Sequence, residues 1–514
     1  MPASTSSECR ASACGGFASV TAALYETPHV GDAGAVVRID PRVRVLPFWV
    51  WRTPAYSGSP RTRNLKTLLA SSWRRWLGWT SQSANRRIFA ASVVVGTLSL
   101  LGLLAGLAKE IVVAHQFGRG DAVDAFLIAF MLPAFAINLV AGSLNSSMVP
   151  AVVHVTTRDS REDGVRLFSN ALACTMALLL AVSALLAAIF PLLLPLVAAN
   201  FSPEKRALTQ SLFYMLLPAI TLSGIATAWS GMLNAGQRFA AGAAAPLVVP
   251  VSTIACLVLL AERWGIAALA AGTVAGMLGQ CLLLGIALRR QNLPVVPRWH
   301  GMTDATRRMI GQFAPMMVGA LLMSSTALVD QAMAAMLDPG SVAALGYGGK
   351  VVSAVTGLGA MALGTAALPH FSEMIARNDH SGLRHSIVTY NRAILASSVV
   401  GTAALVLFSE AIVRALFERG AFGAEDTRVV AHVQALYLLQ IPFYLVGTIY
   451  VRVISALGRN TILMWGAVIS LPLNAAMNLV LMQHFGVAGI ALSTSVVYLV
   501  SWIYLAWSVK RCLP

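Results

Sequence analysis

Apolar runs of membrane length fill most of the chain between residues 88 and 510. About 20 consecutive apolar residues cross the hydrocarbon core of a bilayer as a helix, and helices satisfy all their backbone polar groups internally. The composition agrees, because 57% of the 514 residues are hydrophobic and only 11% are charged, whereas soluble domains carry roughly 25% charged residues. The sequence therefore predicts an all-α polytopic membrane protein.

Twelve helices are predicted, and their loops differ in charge. An even number of spans puts both termini on one side of the membrane. The loops on that side carry about twice as many Arg and Lys residues as the alternate loops, so both termini are expected in the cytoplasm under the positive-inside rule. The same rule accounts for the net charge of +16 without nucleic acid as a partner. The predicted helices lie near 88–116, 122–152, 165–192, 208–233, 240–261, 265–288, 309–336, 342–368, 386–408, 430–456, 461–482 and 486–508.

An internal repeat relates the two halves of the sequence. A constant separation of 221 positions links three pairs of landmarks, namely Arg238 with Arg459, Gly265 with Gly486, and Arg289 with Lys510. The pattern predicts two six-helix lobes related by a pseudo-two-fold axis along the membrane normal, an N-lobe over 86–290 and a C-lobe over 291–514. Residues 1–85 are rich in Ser, Gly, Pro and Arg and are expected to be a disordered basic tail, or sequence upstream of a later start site.

Ionisable residues within the spans are the first functional candidates, because each costs about 2.5–3.5 kcal/mol at a helix centre. Lys109, Glu110 and Asp124 belong to helices 1 and 2, and Asp330 and Lys350 belong to the matching helices 7 and 8. All five fall in the outer half of the membrane. The Lys109–Glu110 pair is equally consistent with an interface marker. Lys350 lies deeper, and a position facing a wet, anion-attracting cavity is favoured over a buried, paired one.

A second group of candidates is polar. Asn474 and Asn478 lie four residues apart, on one face of helix 11. With Asp330 and Thr494 they offer carboxylate, amide and hydroxyl oxygens, which suit a hard cation such as Na⁺. On the residues alone, hydrogen bonding between helices is the favoured explanation of the same side chains. Both interpretations stay open at the level of the sequence.

Five segments, spread from helix 1 to helix 12, resemble the MurJ (MviN) family of lipid II flippases. The family belongs to the multidrug/oligosaccharidyl-lipid/polysaccharide exporter superfamily, and the segments are "GLAKEIVVAHQFGRGDAVDAFLIAFMLP", "LNSSMVPAV", "GLGAMALGTAALPHFSEM", "RVISALGRN" and "FGVAGIALSTS". The resemblance implies a multi-pass carrier of the bacterial inner membrane that serves peptidoglycan biosynthesis and cell shape. It would move a polyprenyl-pyrophosphate-linked cell-wall precursor to the outer leaflet by alternating access. A monomeric transporter is expected, not an enzyme, and no cofactor is implied beyond a coupling ion.

The resemblance also assigns roles to particular residues. The substrate-binding set it implies is Lys109, Glu110, Asp124, Lys350 and Arg452, and the sodium-binding set is Asp330, Asn474, Asn478 and Thr494. Apolar or neutral residues stand where the family often has basic ones, at Gly102–Leu103 and Ile137–Asn138. A flippase for another lipid-linked oligosaccharide therefore remains an alternative. A drug/cation antiporter of the same superfamily is a third, which would need more acidic cavity residues than the sequence has.

Overall fold

Every regular element in the described part of the chain, residues 84–377 and 379–512, is helical in the computed structural model. These residues belong to one compact unit, Trp76–Pro514. The predicted tail over 1–85 lies outside the described residues except for its last two positions. The twelve long helices are α1 Ala84–Phe117, α2 Asp121–Arg158, α3 Arg161–Val197, α4 Pro203–Ala235, α5 Phe239–Trp264, α6 Ala267–Arg289, α7 Asp304–Ala334, α8 Ser341–Ala376, α9 His380–Leu407, α10 Ala424–Ala456, α11 Thr461–Phe485 and α12 Val487–Cys512.

The all-α membrane fold predicted from the sequence is confirmed, but the count of twelve spans is not confirmed in full. Ten of the described helices are long and apolar enough to cross a membrane, and α7 and α8 are not among them. Two local features were not predicted. A short helix, Ser409–Phe417, lies between α9 and α10. Helix α10 is interrupted after Leu438 and resumes at Ile441, next to Pro442, which has no backbone N–H for the helical ladder.

The same helix pairs occur in the N-terminal half (α1–α6) and the C-terminal half (α7–α12). Helix α2 packs on α4 as α8 packs on α10, and α5 packs on α6 as α11 packs on α12. Likewise α4 contacts α6 as α10 contacts α12, and α1 contacts α5 as α7 contacts α11. The arrangement of contacts therefore follows the repeat that the sequence predicts.

Helix α7 contacts both halves. Met309, near its start, is buried in a cluster of apolar side chains from α2, α3, α4 and α6. Asp330, near its end, hydrogen-bonds to side chains of α11 and α12. The helix therefore runs from the N-terminal half to the C-terminal half, and a movement of the halves must bend or tilt it.

Helices α5 and α6 approach each other closely through glycine. A Cβ atom on Gly276 would lie 2.6 Å from the Cα atom of Val249, and one on Gly272 would lie 2.8 Å from the Cα atom of Thr253. Small residues at such a contact allow membrane helices to pack backbone against backbone.

We expect Gly276→Ala to destabilise the fold by about 1–3 kcal/mol, the usual cost of overpacking a close contact. The matched control is Gly401→Ala in α9, where a Cβ atom meets nothing within 4 Å. Thermal unfolding of the two purified variants provides the measurement. Equal melting temperatures for the two would contradict the packing assigned to α5 and α6.

Candidate functional site

The N-terminus of α8 is capped by a side chain from the other half of the protein. Gly340 precedes the helix with φ +82 and provides no side-chain cap. Instead the buried carboxylate of Asp124, in the first turn of α2, accepts hydrogen bonds from the backbone N–H groups of Gly340 (2.7 Å) and Ala343 (2.8 Å). A carboxylate is favoured at a helix N-terminus because it satisfies unpaired donors and complements the helix dipole. One side chain thus joins α2 to α8.

Lys205, in α4, supplies the counter-charge for this cap. Its Nζ atom lies 3.0 Å from Asp124 Oδ2 and 2.6 Å from Asp121 Oδ1, and it also stacks over the ring of Phe201. The side chains of Lys205 and Asp124 are only 7% and 2% exposed. A buried ion pair needs additional hydrogen bonds to offset its desolvation, and Asp124 obtains them from α8.

Loops from the two halves meet beside this cap and form what we call the closed end: residues 115–124, 200–205, 336–343 and 418–426. Tyr347 Oη donates to the carbonyl of Gly118 (3.2 Å), and Arg119 Nε lies 3.1 Å from Asp426 Oδ1. Three glycines with positive φ lie against carbonyl oxygens of the opposite half, where a Cβ atom would clash, in the pairs Gly118 with Ala421, Gly340 with Arg119, and Gly420 with His115. Backbone contact of this kind closes the space between the halves.

Lys109, Glu110 and Lys350 form a triad between α1 and α8. The Nζ atoms of Lys109 and Lys350 lie 2.9 Å and 2.8 Å from the same oxygen, Glu110 Oε1. The glutamate side chain is 13% exposed, whereas the lysines are 25% and 39% exposed. Two cations share one carboxylate, so the triad has a formal charge of +1 and its cationic groups remain accessible.

The structure separates the other two members of the predicted substrate-binding set from this triad. Asp124 is engaged at the closed end with Lys205 and the start of α8. Arg452 lies in the second segment of α10, and its Nε atom is buried without a hydrogen-bond partner among the described residues. The geometry therefore brings together three of the five predicted residues. Lys350 pairs with Glu110 and still keeps 39% of its side-chain surface exposed.

The four residues of the predicted cation set lie together. Asn478 Nδ2 donates to Asp330 Oδ1 (2.7 Å), and Thr494 Oγ1 donates to Asp330 Oδ2 (3.1 Å). Asn474 lies beside Asn478, with Oδ1 3.5 Å from Nδ2. Asp330 is 6% exposed, and no basic side chain lies within 4 Å of it in the described part of the chain. The Oδ1 atom of Asn478 is also buried without a partner there.

Sequence reasoning missed Lys205 and the three glycines of the closed end. From sequence, Lys205 is assigned to a loop, because it lies close to Ser202 and Pro203, residues typical of a turn or a helix start. In the structure these two residues begin α4. The spacing of Asp121 and Asp124 could have indicated such a partner. It places two carboxylates on one helix face at a membrane boundary, where a nearby cation would stabilise them. Nothing in the local sequence identified α4 as its source.

Two similarly packed six-helix halves, joined at one end by the Asp124 cap, the Arg119–Asp426 pair and the glycine backbone contacts, are typical of a polytopic membrane transporter of the two-lobed exporter type. Solved structures share this fold. A "Lipid II flippase MurJ, inward closed conformation" has a TM-score of 0.68 at 22% identity, covering 82% of this chain and 87% of its own. An inward-facing multidrug resistance MATE family transporter has a TM-score of 0.68 at 13% identity, covering 82% of this chain and 98% of its own.

Sequence comparisons identify the family. The family model for "Lipid II flippase MurJ" matches residues 113–514, so the chain belongs to the lipid II flippase MurJ family. A "Probable lipid II flippase MurJ" of Synechocystis sp. is 26% identical over 452 residues, covering 84% of this chain and 83% of the relative. The "Lipid II flippase MurJ" of Burkholderia cenocepacia is 25% identical over 378 residues, covering 72% of each.

The family assignment confirms the resemblance seen in the sequence. Ten helices among the described residues are long and apolar enough to cross a membrane. Together with the family, they make the chain a multi-pass protein of the bacterial inner membrane and a transporter, not an enzyme.

We expect Asp124→Asn to weaken the closed end, because an amide removes the counter-charge of Lys205 and presents an N–H to backbone donors. Breaking one partner of a buried pair costs about 3–5 kcal/mol. Pulsed electron paramagnetic resonance between spin-labelled unnatural amino acids at the exposed positions Glu204 and Glu425 should reveal a longer-distance population. The control is Asp159→Asn, which changes an exposed carboxylate outside the closed end. Identical distance distributions in the two variants would refute this role of Asp124.

Proposed function

We propose that this protein translocates lipid II, the undecaprenyl-pyrophosphate-linked peptidoglycan precursor, from the cytoplasmic to the outer leaflet by alternating access. The observation that carries the proposal is the cationic triad between α1 and α8, found in a chain of the MurJ family. A pyrophosphate needs positive charge within the membrane, and Lys109 and Lys350 provide two ammonium groups a few ångströms apart. One chain supplies both lysines, so the proposed pyrophosphate site needs no second subunit.

The triad also supports a mechanism of binding. Without substrate, Glu110 neutralises part of the lysine charge and holds α1 to α8. An arriving pyrophosphate would replace Glu110 as the partner of the lysines, since phosphate oxygens form strong charge-assisted hydrogen bonds with ammonium groups. The carboxylate would then lose its partners and be repelled by the phosphate, so substrate binding would loosen the contact between the two helices.

The charge distribution of the loops supports an orientation with both termini in the cytoplasm. In that orientation the closed end faces outward, and the structure corresponds to an inward-facing state. Release to the outer leaflet would require the Asp124 cap, the Arg119–Asp426 pair and the backbone contacts of the three glycines to separate.

A cation at Asp330 would couple this cycle to an ion gradient. The carboxylate is buried without a basic partner among the described residues and lies within hydrogen-bonding distance of Asn478 and Thr494. Oxygen ligands of this kind suit Na⁺. Because α7 contacts both halves, occupation of the site would favour one tilt of α7 over another.

Lys350→Ala should reduce lipid II translocation by about ten- to a hundredfold, the effect of losing one charge-assisted contact worth roughly 1.5–3 kcal/mol. Lys350→Arg should retain activity because guanidinium also binds phosphate. Translocation of fluorescent lipid II in proteoliposomes measures both variants. The control is Lys510→Ala, at an exposed lysine near the end of α12.

Complementation of a bacterium depleted of its lipid II flippase tests the substrate itself. Rescue by the wild type and by Lys510→Ala, but not by Lys350→Ala, is the expected pattern. Failure of the well-expressed wild type to rescue would reject lipid II and redirect the assignment to another lipid-linked oligosaccharide.

Asp330→Asn should abolish any sodium-dependent gain in thermal stability, because the neutral amide removes the charge that holds the ion. A ligand present at 100 times its dissociation constant stabilises the folded state by about 2.7 kcal/mol, which melting curves detect. The measurement compares melting curves in NaCl and in KCl for the wild type, for Asp330→Asn and for the exposed control Asp304→Asn. Equal stability of the wild type in both salts would count against a sodium site.

A further inference from the structure

The linker between the two halves, residues 290–303, is held against α3 by two buried polar side chains. Ser169 Oγ accepts from the backbone N–H of Arg298 and donates to its carbonyl, both at 2.8 Å. Asn170 Oδ1 accepts from the N–H of His300 (2.8 Å), and its Nδ2 donates to the carbonyl of Gly301 (2.9 Å). Ser169 and Asn170 are each 1% exposed. The linker therefore has a defined course over the N-terminal half.

This course creates a basic cleft between the start of α3, the end of α6 and the linker. Its volume is about 470 Å³, within the range of roughly 300–1,000 Å³ that small-molecule sites occupy. Four basic side chains line it: Arg166, Arg289, Arg298 and His300. Arg166 lies 3.5 Å from Asp163, whereas Arg289 and Arg298 have no carboxylate within 4 Å in the described part of the chain. The cleft therefore holds an excess of positive charge and guanidinium groups suited to phosphate.

An exposed apolar surface leads along α6 to the cleft. Leu278, Leu282 and Ile286 are 49%, 60% and 50% exposed and lie four residues apart, on one face of the helix. One further turn along α6 reaches Arg289. On the linker, Val296 and Trp299 are also 63% and 53% exposed, and tryptophan is enriched at the level of lipid headgroups. An apolar surface next to a cluster of arginines is complementary to a phospholipid, which has apolar acyl chains next to a charged headgroup.

We propose that the cleft binds the phosphate headgroup of an anionic phospholipid whose acyl chains lie along Leu278, Leu282 and Ile286. The arginines recognise the phosphate, and a free phosphate ion would share that chemistry. The apolar face of α6 favours the lipid, because it gives the acyl chains a surface that a free ion leaves unused. The site is formed by side chains outside the triad and outside the Asp330 cluster, and it does not depend on which precursor the protein carries.

Native mass spectrometry of the full-length protein in detergent, titrated with phosphatidylglycerol or phosphatidylcholine, tests the proposal. The wild type should retain one phosphatidylglycerol in preference to phosphatidylcholine. Arg289→Gln combined with Arg298→Gln should weaken that retention by about tenfold or more, as expected for losing two charge-assisted contacts. The matched control combines Arg384→Gln with Lys510→Gln, which removes two exposed charges elsewhere and should leave retention unchanged.

A second pair of measurements separates the lipid from a soluble ion. Leu282→Gln combined with Ile286→Gln should also weaken retention of phosphatidylglycerol, although it leaves every arginine in place. Inorganic phosphate should compete poorly. Retention in the double arginine variant equal to that in its control would overturn the site. Full displacement of phosphatidylglycerol by inorganic phosphate would overturn the lipid as its occupant.

Discussion

The cap that Asp124 places on α8 is the interaction on which the closed end depends. Helix α8 begins with backbone donors that its own sequence leaves unsatisfied, and an unpaired polar group in an apolar environment is costly. The partner comes from α2, so the most stable form of one half requires the other half to be in place. Lys205 makes this possible, because without it the buried carboxylate would carry an uncompensated charge.

Charged side chains join the halves at two places that differ in accessibility. Asp124 caps α8 at the closed end, and Glu110 pairs with Lys350 in the triad. At the closed end, the side chains of Asp124 and Lys205 are almost fully buried and their hydrogen-bonding capacity is taken up by protein. In the triad, the lysines keep 25% and 39% of their side-chain surface exposed. A fully engaged pair is suited to holding a conformation, whereas a partly engaged pair is suited to exchanging its partner for a ligand. The Asp330 cluster differs from both, because the partners of its carboxylate among the described residues are the neutral side chains of Asn478 and Thr494.

Part of the candidate site was predictable from sequence. Asp330, Asn474, Asn478 and Thr494 were grouped by their oxygen chemistry, their similar depth in the membrane and the family resemblance, and the packing of α11 on α7 and α12 brings them together. The partners of Asp124 were not predictable in this way. They are backbone N–H groups of α8 and a lysine of α4. Every residue except proline has a backbone N–H group, so the sequence does not show which of these groups will bind a given carboxylate. Glycines in the sequence indicate where tight turns can form, but they do not indicate which carbonyl oxygens will lie against them.

The sequence by itself determined the helical membrane fold, the duplication and the family, because these follow from the length of apolar runs, from spacing and from motifs distributed along the chain. The tertiary structure decided which charges are locked and which are accessible. Asp124 and Glu110 both lie at the outer end of their spans by sequence, yet one caps a helix and the other bridges two lysines. Burial and partner geometry set that difference, and both arise only when the two halves are packed together.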